Sequence, residues 1–280
     1  MLSVLVTQAH QLEPVLACTA VSEVMLEADA VSPEQWESTA SRIHAAGKTA
    51  VLGLPRMFRE NEKGYGEAHR AFLSASCFDA FLARDPEGLF ALREAQPEAE
   101  IIADASLYAW NSGAAAFWRR YADRLTLPHE NDARSHAEAG LYGCDLVVYG
   151  RTPLMVSAGC LKKTLGKCNH KTEWLTMKDR KGYRMPVLTF CTFCYNVVYN
   201  AVPTSLFTET ARVRSLRPAA VRLQFSDENV QAVSQVLAAA EDFLADLAPH
   251  AGGEDAETRT PGAKLPQGQY TRGRFVQGVE

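Results

Sequence analysis

The stretch SEVMLEADAVSPEQWESTASRIHAAGKTAVLGL, residues 22–54, contains one complete strand–helix–strand unit. Ser22–Leu26 and Thr49–Leu54 are short apolar runs with the length of buried strands. Between them, Ser32-Pro33-Glu34-Gln35 supplies a helix start: a hydroxyl N-cap, proline at the first helical position, and glutamine closing a capping box. Gly47 ends that helix, because glycine reaches the left-handed backbone that helix termini use. Two strands joined by a helical crossover run parallel, so the unit predicts a parallel sheet.

The same alternation extends both ways along the chain. Further strands are expected at Leu2–Val6, Asp79–Ala83, Glu100–Asp104, Arg124–Leu127, Leu146–Tyr149 and Ala219–Phe225. Asp85-Pro86 opens another helix, and Ser226 begins a long one that runs to about Leu247 with apolar residues at helical spacing. Eight strands alternating with helices favour an α/β (β/α)8 TIM-barrel-like fold, whose usual size is ~250 residues; a doubly wound open sheet is the alternative. The barrel is expected over residues 1–248, with 249–269, rich in Gly, Pro and charge, as a linker and 270–280 as a terminal piece.

The alternation breaks between the seventh and eighth strands, at residues 150–218. Trp174–Lys178 and Arg184–Leu188 flank Asp179-Arg180-Lys181-Gly182, which reads as a β-hairpin inside a cysteine-containing insertion. An insertion after a barrel strand starts at the carboxyl face, where such barrels keep their active sites. Charge is concentrated there. The chain has a net charge of -4, yet Leu161–Arg184 holds eight Lys/Arg against Glu173 and Asp179. A solvated loop and a patch for phosphate or another anion both fit, the second through Lys162, Lys178, Arg180 and Lys181.

Cys160, Cys168, Cys191 and Cys194 form C-x7-C-x22-C-x2-C. Thiolates suit soft metal centres. Structural zinc usually takes two tight pairs and here only the second is tight; an iron–sulfur cluster tolerates looser spacing, and unligated thiols remain open. No secretory leader or apolar span of ~18 residues is evident, which points to a cytoplasmic protein with reduced thiols. Seven cysteines, an odd number, also argue against a fully paired disulfide framework.

The segments LVVYGRTPLM and SAGC (146–155, 157–160), MKDRKGYRMPV (177–187), CTFC with NVVYN (191–200) and YTRGRFVQGVE (270–280) resemble the collagenase-like peptidase family, peptidase family U-32. Upstream, LGLPRMFRE, ADASLYAWNS and LTLPHEN look like that family's barrel-strand ends. The likeness is to the C-terminal barrel of its long members, so the chain reads as a detached module or a fragment beginning at an internal Met, implying an N-terminal domain or partner subunit. The resemblance implies a 4Fe-4S cluster on Cys160, Cys168, Cys191 and Cys194, zinc being the alternative, in oxygen-independent hydroxylation of tRNA, rRNA or ubiquinone precursors, with RNA, met through the basic 161–184 segment, as the favoured partner. The family name implies a peptidase instead. Against that, the chain has no H-E-x-x-H helix and no G-x-S-x-G elbow.

Residues just past the strand ends would gather at one face of a barrel. They are Arg56, Arg59, Arg84, Asp104 with Asn111, His129, Glu130 and Arg151. Arg56 and Arg84 suit a planar anion, Asn111 a substrate contact, and Asp104 or Glu130 could hold a proton or orient a hydroxyl; Asp104 and Asn111 equally suit helix caps. Arg151, between the seventh strand and the cysteines, is the leading catalytic candidate, and Tyr108 and Trp110 could stack on a base.

Overall fold

The structure is a computed structural model that describes residues 1–58, 66–248 and 264–278. Its main sheet has nine strands: β1 (Leu2–Val6), β2 (Glu23–Leu26), β3 (Thr49–Gly53), β4 (Ala80–Ala83), β5 (Glu100–Ala103), β6 (Arg124–Leu125), β7 (Leu146–Gly150), β12 (Thr204–Ser205) and β13 (Val221–Gln224). Neighbours follow the order β12-β7-β13-β1-β2-β3-β4-β5-β6, and every pair is parallel except β12 with β7. Helices α1 (Leu12–Ala17), α2 (Trp36–Ala45), α3 (Gly66–Leu73), α4 (Pro86–Ala95), α5 (Ser112–Trp118), α6 (Ala133–Glu138), α8 (Thr210–Leu216) and α9 (Val230–Leu247) alternate with the parallel strands. Among the described residues, no helix is long and apolar enough to cross a membrane.

Local chemistry explains the helix starts. The Ser32/Gln35 capping box is made, although it begins a 3-10 turn before α2. Asp85 caps α4 by accepting from the Gly88 amide. The last helix starts later than Ser226, because Asn229 is the cap: its Oδ1 accepts from Ala232 N at 2.9 Å.

Strand parity divides the core in two. Leu2, Val4, Val24, Leu26, Leu52, Phe81 and Ile101 belong to the large cluster shared with the helices. The alternate positions Leu5, Met25, Val51, Ala80, Leu82 and Ile102 form a separate plug of six apolar side chains on the concave face. Further along that face the alternation brings charge inward: Glu23, Glu27, Arg84, Asp104 and Arg222 are all buried. A sheet can bury both faces of nearly every strand only by curling. The two ends of the curl meet at Thr126 and Asp145, a parallel bridge with Asp145 N donating to Leu125 O at 2.7 Å and Leu127 N to Asp145 O at 2.8 Å.

Between β7 and β13 the chain builds a second, antiparallel sheet of β8 (Pro153–Ser157), β9 (Glu173–Lys178), β10 (Arg184–Phe190) and β11 (Tyr195–Tyr199) in the order β8-β11-β10-β9, with the short helix α7 (Leu161–Thr164) after β8. Leu188, Phe190, Phe193, Tyr195, Val197 and Tyr199 join the main core, each contributing on the order of 2 kcal/mol of burial. This sheet lies over the carboxyl ends of the main strands: Tyr195 Oη accepts from Arg56 N at 3.1 Å, and Thr172 donates to Asp29 at 2.8 Å.

Candidate functional site

Strand ends and the inserted sheet together enclose a cavity of about 110 Å3. Arg56 after β3, Asp104 and Tyr108 after β5, His129 and Glu130 after β6, and Gln224 at the end of β13 line it; Pro153–Val156 of β8 form the opposite wall. That wall is apolar and open, with Leu154, Met155 and Val156 exposed. Tyr108 has a positive φ of 52°, a strained backbone for a bulky side chain, and its ring meets Trp110 edge-on.

The charges around Asp104 are tightly arranged. Its two carboxylate oxygens take Arg222 at 2.8 Å and Arg84 at 3.2 Å, and Arg84 also binds Glu27. Burial alone would raise the Asp104 carboxyl, but Arg222, then Arg84 and Arg56, outweigh it and hold it well below the usual carboxylate range. Asp104 is therefore a fixed anion. Glu130 is pushed up by burial, against its backbone hydrogen bonds. His129, half-buried, falls to about 4, mainly through burial, with Asp104 opposing and Arg56 and Arg222 reinforcing the loss of charge. The cavity thus combines an anion, a neutral imidazole, a carboxyl raised by burial, and the cation Arg56, whose buried Nε has no hydrogen-bond partner. Ser106, also in the lining, donates its hydroxyl to the Arg84 carbonyl at 2.7 Å.

Arg56, Asp104 and Glu130 meet in this cavity, together with His129 and Tyr108. Arg84 does not reach a substrate: it is 2% exposed and sits beneath the cavity between Glu27 and Asp104. Gly53 leaves room for it, since a Cβ there would lie 3.3 Å from the guanidinium and 2.9 Å from Leu26 O. Asn111 is the N-cap of α5, bonded to Ala114 N at 2.9 Å, and does not line the cavity. Arg151 anchors the inserted segment, pairing with Asp227 at 2.8 Å and donating to the carbonyls of Asn200 and Ala201. Arg59 lies outside the described residues, as does most of the linker at 249–269.

The inserted sheet also places the cysteines. Cys160 follows β8, Cys168 precedes β9, Cys191 follows β10 and Cys194 precedes β11, so antiparallel pairing carries all four segments to one end. Cys191 faces a separate cavity of about 350 Å3 with Asp29, His170 and Thr172. Burial raises its thiol, Lys162 opposes this, and the Cys160 and Cys168 thiols each add to the rise. Among the described residues, no three His, Cys, Asp or Glu side chains stand at metal-ligating spacing. The four thiols suit a soft centre in chemistry, and their segments share one end of the sheet, but the side chains do not converge to ligating distance. Lys162 is withdrawn from any phosphate role: it is 4% exposed and its ammonium binds Asn169 and Glu173. Lys178, Arg180 and Lys181 are exposed at the hairpin tip, the opposite end of the sheet from the cysteines.

The interior network of Glu23, Glu27, Arg124, Asp145 and Arg222 was not among the sequence-derived candidates. Its trace was a charge of either sign at alternate positions of apolar strands, as in EVMLE (23–27) and VRLQ (221–224).

No protein-family model matches the chain, and no curated protein matches it. Among solved structures, an uncharacterized B. cereus protein is 7% identical with a TM-score of 0.41, covering 83% of this chain and 63% of its own. D-psicose 3-epimerase from Clostridium cellulolyticum H10, solved with D-tagatose, is 8% identical with a TM-score of 0.38, covering 85% and 89%. At these scores neither likeness bears on what the chain does.

Proposed function

We propose that this chain is the 4Fe-4S-binding module of an oxygen-independent hydroxylase acting on RNA, built on a (β/α)8 barrel whose seam lies between β6 and β7. One observation carries the reading: four cysteine segments, spread over residues 160–194, are gathered at one end of a single sheet over the barrel mouth. A cluster held by Cys160, Cys168, Cys191 and Cys194 would supply one-electron redox chemistry. The motifs shared with the collagenase-like peptidase family support the same assignment.

The chain's own residues have distinct roles in this reading. Arg56, which lines the cavity, binds an anionic or carbonyl group of the substrate through its guanidinium. Glu130, its carboxyl raised by burial, holds a proton for an oxygen of the substrate, and Asp104 remains charged and orients a donor. Leu154, Met155 and Val156 seat a flat apolar face and exclude water. Zinc on the same thiols is the second reading, favoured by the tight Cys191/Cys194 pair. The peptidase reading finds no support in the cavity, where Ser106 gives its hydroxyl to a carbonyl.

Protein purified without air should be brown, absorb broadly near ~400 nm, and hold about four irons and four sulfides per chain. One zinc per colourless chain would replace the cluster with the second reading. Metal-free protein, even after reconstitution with iron and sulfide, would end both.

A further inference from the structure

The seam between β6 and β7 is the weak side of the sheet. β6 has two residues, and beyond the Thr126–Asp145 bridge the two strands do not pair. The gap above is filled by β12 and by residues 270–278. Ser205 N donates to Thr271 O at 2.8 Å, Thr271 N to Pro203 O at 3.0 Å, and Ala133 N to Phe275 O at 3.0 Å. Phe275 is buried, while Arg272 pairs with Glu209 at 2.9 Å from a largely exposed position. Between this segment and His129 lies a space of about 30 Å3, and His129 also faces the main cavity. The segment is therefore the outer wall behind His129.

We propose that residues 270–278 form a detachable strap that completes this wall and controls access to the cavity from the seam side. The proposal rests on the reading of that cavity as the functional site. Among the described contacts, its hold on the barrel is local: the buried Phe275 ring, the half-buried Tyr270 ring against Tyr149, one half-exposed ion pair and three backbone hydrogen bonds. Release leaves the β7–β13 and β5–β6 ladders intact, so opening does not require unfolding.

Hydrogen exchange on the full wild-type chain tests it. The Ser205, Thr271 and Ala133 amides should exchange together, about tenfold or more faster than Leu206, whose amide binds Val148 O in the sheet. Modification of His129 by diethyl pyrocarbonate should follow the same opening. Phe275→Ala should speed both processes by about tenfold. Three amides that exchange only at the rate of Leu206 would overturn the strap, as would a Phe275→Ala chain that opens without changing the reactivity of His129. If that variant does not fold, the wild-type comparison decides alone. None of these results alters the metal content of the chain, so failure of the strap and failure of the cluster reading stay separate. A Glu130→Gln chain that keeps full activity would remove the cavity reading while leaving the exchange result standing.

Discussion

Arg222 is fully buried on β13, with Nη1 2.8 Å from Asp104, Nη2 2.7 Å from Thr126 and 3.6 Å from Asp145. A buried ion pair adds little net stability over an apolar replacement, but removing one partner leaves a charge without compensation. Arg222→Ala should therefore cost about 3–5 kcal/mol in urea unfolding, since Asp104 and Asp145 both lose a cation. A cost under ~1 kcal/mol would mean that Arg84 and Arg124 suffice. His129 gives a pH-dependent counterpart. Its folded pKa of about 4 lies below the ordinary value of 6.5, so the unfolded chain binds a proton between those limits and the folded chain does not. Stability from this residue is complete above pH 6.5 and is lost as pH falls toward 4. The stability difference between wild type and His129→Asn should shrink by about 1.4 kcal/mol per pH unit across that window. Unfolding measured at about pH 7 and about pH 5 checks it; a constant difference would show that the imidazole is already charged in the fold.

At the scale of elements, legibility followed how much of an element's identity is local. All eight parallel strands fall where short apolar runs sit between helix starts, because a strand buried on both faces must be apolar along its length. Asp104, His129, Glu130 and Arg56 were accessible for a related reason: strand ends on one face converge whatever joins them. The insertion was less legible. β9 and β10 carry alternation and a turn signal, whereas β8 and β11 are short, lie beside cysteines, and acquire their strand character by pairing, β11 with β10 and β8 with β11. Arg84 and Arg151 look alike in sequence, each a cation just past a strand. Only packing separates them, the first sealed by Glu27 and Asp104 and the second spent on Asp227 and two carbonyls. Asn111 had two local readings, and its hydrogen bond with Ala114 N selects the cap.

At the scale of the whole molecule, the tip cations Lys178, Arg180 and Lys181 and the thiols occupy opposite ends of the same inserted sheet, while Lys162, Lys163, Lys167 and Lys171 lie in the segment between Cys160 and β9. The six residues of β9 separate Lys178 from the cysteine end by roughly 20 Å, more than two Debye lengths at physiological salt. The proposed RNA-binding tip and the proposed metal centre are thus electrostatically independent, although both lie within one stretch of sequence. Reversal of three tip charges, Lys178→Glu with Arg180→Glu and Lys181→Glu, should weaken RNA binding and reduce the slope of log affinity against log salt by about 2–3, since each phosphate no longer neutralised removes about 0.7–0.9 from it. Iron content and the absorbance of the cluster should not change, because neither the thiols nor Lys162 touches the tip. An unchanged salt slope would remove RNA from the tip. A loss of iron would show that the two ends are coupled through the sheet, which its strand-long separation argues against.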